Sequence, residues 1–147
     1  MKLVYGCNEP VTHFVASLIP RCRERGFPDG STAIGVAKDD RLVGGFVFSN
    51  WSPEAGTIEI SFAGMDRRWL SRAILYAAFS YVFDQLGCQM AISQTPAGLT
   101  HAVRICKAYG FKQVTVPRLF GRDEDGIVST LTAEDWRANG FHLENSP

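Results

Sequence analysis

Between Thr57 and Phe62 the chain alternates strictly, with Ile58, Ile60 and Phe62 on one side and Thr57, Glu59 and Ser61 on the other. Period-two alternation predicts a strand with one face in a core and one polar face. Upstream, Leu3, Val4 and Tyr5 form a short apolar start that stops at Gly6, and Val11, Phe14, Val15, Leu18 and Ile19 recur at helical spacing. Asn8 is the expected N-cap of that helix, and Pro10 suits its first turn. Arg21 to Ser31, charged and broken by Gly26, Pro28 and Gly30, reads as a loop or short second helix.

Two strands are expected at Thr32 to Ala37 and Arg41 to Phe48, joined by a tight turn at Asp39 and Asp40, with a bulge at Gly44 and Gly45. Asn50 to Pro53 should turn the chain into the alternating strand. Trp69 to Leu86 is the longest helical candidate, apolar around most of its circumference and closed by Gly87. Gln89 to Ser93 reads as a strand, and Leu99, Ala102, Val103 and Cys106 mark a helix that ends at Tyr109 and Gly110. Lys112 to Val116 and Ile127 to Leu131 are expected to pair across a polar turn from Arg122 to Gly126. The tail from Ala133, with Trp136 and Phe141, shows no clear element. The order predicts an α/β (α+β) protein: one domain over residues 1–147, with a mixed, mostly antiparallel sheet of about seven strands and helices on both faces.

Composition narrows the partners. With 147 residues and 46% hydrophobic residues the chain can bury a core, and 15 basic residues balance 15 acidic ones, so no global field draws it to nucleic acid or to an anionic membrane. The longest apolar run, Ala73 to Phe79, is far below the ~20 residues of a membrane span. Cys7, Cys22, Cys88 and Cys106 lack metal-like spacing and read as reduced thiols of a cytoplasmic protein. His13, His101 and His142 form no recognisable ligand set, and no metal is expected.

The junction AGMDRRWLSRAIL, residues 63–75, carries an apolar strand into a helix start beside Arg67, Arg68 and Arg72. Unpaired N–H groups and the positive end of the helix dipole favour an anion there, and the guanidinium groups can add charge-assisted hydrogen bonds. The competing reading is a solvated basic helix start. Trp69 can stack on a ligand or pack as core, and packing is favoured. Cys106 sits at a core-facing position and reads as a structural cysteine, while His101 reads as a surface residue.

The run AVRICKAYGF, from Ala102 to Phe111, resembles the A-x-R-x-Y-x-x-x-G-F helix of the GNAT superfamily of acyl-CoA-dependent N-acyltransferases, and DRLVGG, from Asp40 to Gly45, resembles its common turn and strand. The element order matches that family over essentially the whole chain. The resemblance implies an acetyl-CoA or other acyl-CoA co-substrate and transfer of the acyl group to a primary amine by direct attack in a ternary complex. It lays the family's pyrophosphate turn, R/Q-x-x-G-x-G/A, on Asp66 to Ser71. The implied cofactor site comprises Phe62, Ala63, Gly64, Met65, Arg67, Arg68, Trp69, Leu70, Ser71 and Arg72. Glu59 is the implied base, and a backbone N–H around Phe62 to Gly64 the implied oxyanion donor.

The sequence departs from the pattern at Trp69 and Ser71 for the two glycines, at Asp66 for the first position, at Leu99 for a helix-start asparagine and at Cys106 for the tyrosine general acid. These departures keep two alternatives open: a catalytically diverged acyl-CoA-binding module, and a nucleic-acid-base-modifying enzyme of the same fold. Acceptor choice is expected in Arg21 to Gly30, in Asn50 to Glu54 and in the late hairpin, which is also a candidate homodimer contact.

Overall fold

The computed structural model describes residues 1–139, so Phe141 and His142 lie outside the described residues. Strand β1 (Lys2–Val4) leads into helix α1 (Asn8–Leu18), a 3-10 turn at Pro20–Cys22, and the strands β2 (Thr32–Lys38), β3 (Arg41–Ser52) and β4 (Thr57–Gly64). Helix α2 (Arg72–Ser80), β5 (Met90–Pro96), α3 (Thr100–Tyr109), β6 (Lys112–Gly121), β7 (Glu124–Thr132) and α4 (Ala133–Ala138) follow. The strands form one seven-stranded sheet in the order β1-β2-β3-β4-β5-β7-β6. Every neighbouring pair is antiparallel except β4 with β5. The mixed, mostly antiparallel sheet is the one expected from the order of elements.

Each face buries one side of the alternation. Ile58 and Ile60 join Phe46, Phe48, Phe79, Val82 and Trp136 in the larger core, while Val47 meets Val11 and Val15 of α1 on the opposite face. The indole of Trp136 is fully buried, and its N–H is satisfied by donation to the Tyr109 hydroxyl at 3.0 Å.

Several local expectations are corrected. Asn8 does not cap α1: Cys7 holds the cap position, and the Asn8 side-chain oxygen instead accepts the Ala33 N–H at 3.0 Å, tying the helix start to β2. The helix expected from Trp69 starts at Arg72, because Trp69 is drawn into the core and the Ser71 hydroxyl accepts the Ile74 N–H at 3.2 Å as the true cap. After Ser80 the helix widens by one residue per turn, with Leu86 N–H donating to the Tyr81 carbonyl at 2.9 Å. Gly87 then ends it at φ +69°.

The residues expected to turn after Phe48 remain in β3, which bulges between Ser49 and Ser52, with Asn50 at φ +52°. Near Gly44 the bulged residue is Val43, since Val36 pairs with Gly44 and Ala37 with Leu42. Gly44 and Gly45 are there for close approach: side chains would overlap Trp69 at the first and Val11 and Val15 at the second. The late strands run on to Gly121 and from Glu124, leaving a turn of Arg122 and Asp123. The tail that showed no pattern forms α4, capped by the Thr132 hydroxyl accepting the Asp135 N–H at 3.1 Å. Its six residues are too few for periodicity to register.

Candidate active site

The site begins where the parallel pairing stops. Strands β4 and β5 pair only at Thr57 with Met90, Ile58 with Ala91 and Glu59 with Ile92, and beyond this they splay. On its other edge β4 stays paired with β3 up to Gly64, and the Met65 N–H donates to the Val43 carbonyl at 2.7 Å. Amides alternate in direction along a strand, so Ala63 and Met65 turn toward β3 and Phe62 and Gly64 toward the opened edge. These two N–H groups are the donors that the predicted oxyanion region narrows to.

The opening continues as a groove of about 600 Å³. Phe62, Ala63, Gly64, Met65, Arg67, Trp69 and Leu70 lie along one side of it, with His101, Ala102, Ile105, Ala108 and Tyr109 of α3 along the other. Seven of the ten residues predicted for the cofactor are thus brought together. Arg68, Ser71 and Arg72 are not among the groove's lining residues. Ser71 is engaged in capping α2, and Arg72 opens that helix. The α3 wall was not anticipated: His101, Ile105 and Ala108 form a second stripe at i, i+4 and i+7 beside the apolar stripe that marked the helix. A groove of about 590 Å³ between α1 and residues 23–31 contains none of the predicted cofactor residues.

The turn between β4 and α2 is shaped by side chains where glycines were expected. The Arg68 N–H donates to the Asp66 carboxylate at 2.8 Å and the Trp69 N–H to the Asp66 carbonyl at 3.1 Å, which closes a compact Asx-type turn. The Arg68 N–H, and then the Lys38 ammonium 3.5 Å from the carboxylate, hold the Asp66 carboxyl below its ordinary range. Trp69 is 6% exposed, with its ring centroid 5.1 Å from that of Phe46, so it packs as core.

At the other end of the opening, Asn50 donates to the Glu59 carboxylate at 2.8 Å. The bulge in β3 and the positive φ of Asn50 bring that amide over the polar face of β4. Cys22 lies close enough to sense both neighbouring charges: burial pushes its thiol pKa up, Arg21 pulls it down and Glu59 pushes it up. Arg21 donates to the Gln94 carbonyl at 3.1 Å, and its guanidinium carbon lies 4.9 Å from the Phe120 ring centroid. It shares the small cleft between the splayed strands with Ser61, Phe62, Ser93 and Thr95. The three regions expected to choose the acceptor therefore meet here, through Arg21, Asn50 and Phe120. Sequence reading singled out none of the three as an individual site residue.

Cys106, at the position of the usual tyrosine, is 2% exposed. Burial pushes its thiol to about 11 despite hydrogen bonds with Ser93 and Ser129. Tyr109, one helical turn on, is pushed to about 12 by burial, against hydrogen bonding from Trp136 and the charge of Arg72.

No family model matches the chain, and no curated protein matches it by sequence. Solved structures do. An acetyltransferase assigned from its structure superposes with a TM-score of 0.66 at 15% identity, covering 75% of this chain and 61% of that one. One from T. thermophilus, also so assigned, gives 0.65 at 15% identity over 75% and 63% of the two chains. A mutant of the spermidine N-acetyltransferase SpeG from Vibrio cholerae gives 0.65 at 14% identity over 75% and 70%. The chain spans 61% and 63% of the length of the first two. A seven-stranded mixed sheet opened between β4 and β5, with these neighbours, is the fold of the GNAT acyl-CoA-dependent N-acyltransferases.

Proposed function

We propose that this protein transfers an acetyl or other acyl group from acyl-CoA to a primary amine by direct attack in a ternary complex. The observation that carries this reading is the splay of β4 from β5, which turns the Phe62 and Gly64 amides into a groove with apolar walls. The pantetheine arm would lie along β4, using those amides as an additional strand would. The pyrophosphate would sit at the Asp66–Ser71 turn, beside Arg67, Arg68 and Arg72 and at the start of α2. The acetyl-CoA co-substrate needs no metal in this scheme.

In the reaction the amine nitrogen bonds to the acyl carbon, the C–S bond breaks, and CoA leaves as a thiolate that takes up a proton. The amine must first be neutral, and Glu59, directly or through one water, takes the proton it loses. The Asn50 amide fixes the Glu59 carboxylate for that task. Oxyanion character on the thioester oxygen is met by a β4 amide. Cys106 has no part in this route, since its thiol is buried under α3 against Ser93 and Ser129.

The missing tyrosine favours a second reading, a binding module of the same fold that holds acyl-CoA without turning it over. Calorimetry with acetyl-CoA followed by a free-thiol assay over an amine panel separates the two. Binding with thiol release supports the transferase, binding without release supports the module, and no binding contradicts both. The nucleic-acid-modifying alternative has only the fold in its favour, and the balanced charge of the chain opposes it. The reading includes a homodimer through β6, an edge strand of the sheet with Val114 64% exposed, which light scattering checks.

A further inference from the structure

We propose that the amine acceptor carries a carboxylate beside its amine, with Arg21 gripping the carboxylate while Glu59 receives the amine. This rests on the acyltransferase reading and names the class of substrate for the same site.

Three observations carry it. First, Arg21 belongs to the 3-10 turn after α1 yet reaches the far strand of the opening, donating to the carbonyl of Gln94, 73 positions away. Second, both of its partners are uncharged, the Gln94 carbonyl and the Phe120 ring, and among the described residues no carboxylate forms a salt bridge with it. A guanidinium has five N–H donors in a planar fork that suits a carboxylate, and the ring and carbonyl fix its plane before a ligand arrives. Third, the opposite charge stands at the same end of the cleft, since Glu59 and Arg21 both act on Cys22. A positive and a negative group flanking the splayed strands match an ammonium and a carboxylate held in one small molecule. A polyamine would place a second positive charge against Arg21.

The test pairs amino acids with their carboxamides as acceptors, at saturating acetyl-CoA, with spermidine as the polycationic comparison. The amide keeps the shape and lowers the basicity of the amine, so intrinsic reactivity favours it. The wild-type protein is expected to prefer the best amino acid over its amide by about 10- to 100-fold in kcat/KM, the scale of one charge-assisted hydrogen bond. Arg21→Gln, which keeps a donor for the Gln94 carbonyl but removes the charge, should bring that ratio near one and leave CoA affinity unchanged. Arg21→Lys should retain part of it. An amide or spermidine preferred by the wild type, or an equal loss on acid and amide in Arg21→Gln, would overturn this inference while leaving acyl transfer standing. Absence of CoA binding, or CoA binding without turnover of any acceptor, would overturn it together with the reading beneath it.

Discussion

The indole of Trp69 occupies the space that a side chain at Gly64 would need, and it does the same at Gly44 on the paired strand. Strand β4 can lie under that ring only because both positions lack a Cβ. Trp69 is thus a structural replacement for a motif glycine: it gives up the backbone cradle of the usual turn and props the end of β4 from below.

Gly64→Ala should therefore cost about 1–3 kcal/mol, the range for an overpacked core site. Denaturant unfolding should show a lower midpoint with an unchanged slope. Unchanged stability would mean that Trp69 moves freely and does not fix the turn.

The arginines of the turn should act on binding rather than on folding. Changing Arg67 and Arg68 together to Glu is expected to weaken CoA binding by about 10-fold or more, as loss and reversal of charge-assisted contacts would. Both residues are exposed, and the Arg68 N–H bond to Asp66 does not depend on its side chain, so the melting temperature should barely move. Arg67, at the groove, should account for more of the loss than Arg68. Equal CoA affinity in the double variant refutes the assigned pyrophosphate turn.

Glu59→Gln should lower kcat by about 100-fold, within the usual range for losing a general base, with CoA binding retained. The basic side of the dependence on pH should also change shape. Asn50→Ala, which frees the carboxylate, should give a smaller loss of the same kind. A pH–rate profile identical to wild type would remove Glu59 from the chemistry.

Stability should fall in alkali. The folded thiol of Cys106 and hydroxyl of Tyr109 titrate at about 11 and about 12, above their ordinary 9.0 and 10.0. Between those limits the unfolded chain has lost protons that the folded chain keeps, so unfolding becomes more favourable as pH rises. The contribution is complete below pH 9.0 and gone above about 11 for Cys106, on the order of 2–3 kcal/mol. Cys106→Ala should flatten that part of the curve, measured by urea unfolding across the pH range. In the native protein at pH 8, exposed Cys7 should react with a thiol reagent and Cys106 should not.

Much of the sheet was legible because its strands carry period-two patterns or sit beside strong turns. Asp39 and Asp40 at φ +52° and +62° are such a turn. Elements that depend on distant partners were less legible. Trp69 looked like a helix start until two glycines, on strands β3 and β4, were seen to receive its ring. Asn8 had the right chemistry for a cap and spends it on β2. At the site, residues adjacent in the strand and turn could be read together. Arg21, Asn50 and Phe120 come from three separate segments, and only the folded sheet brings them to one end of the cleft.

The central claim is that the groove between β4 and α3 binds acyl-CoA, and isothermal titration of the protein with acetyl-CoA tests it most directly. The account predicts a saturable heat at one site per chain that Arg67→Glu/Arg68→Glu weakens at unchanged fold. No heat and no thermal stabilisation at millimolar acetyl-CoA would contradict it.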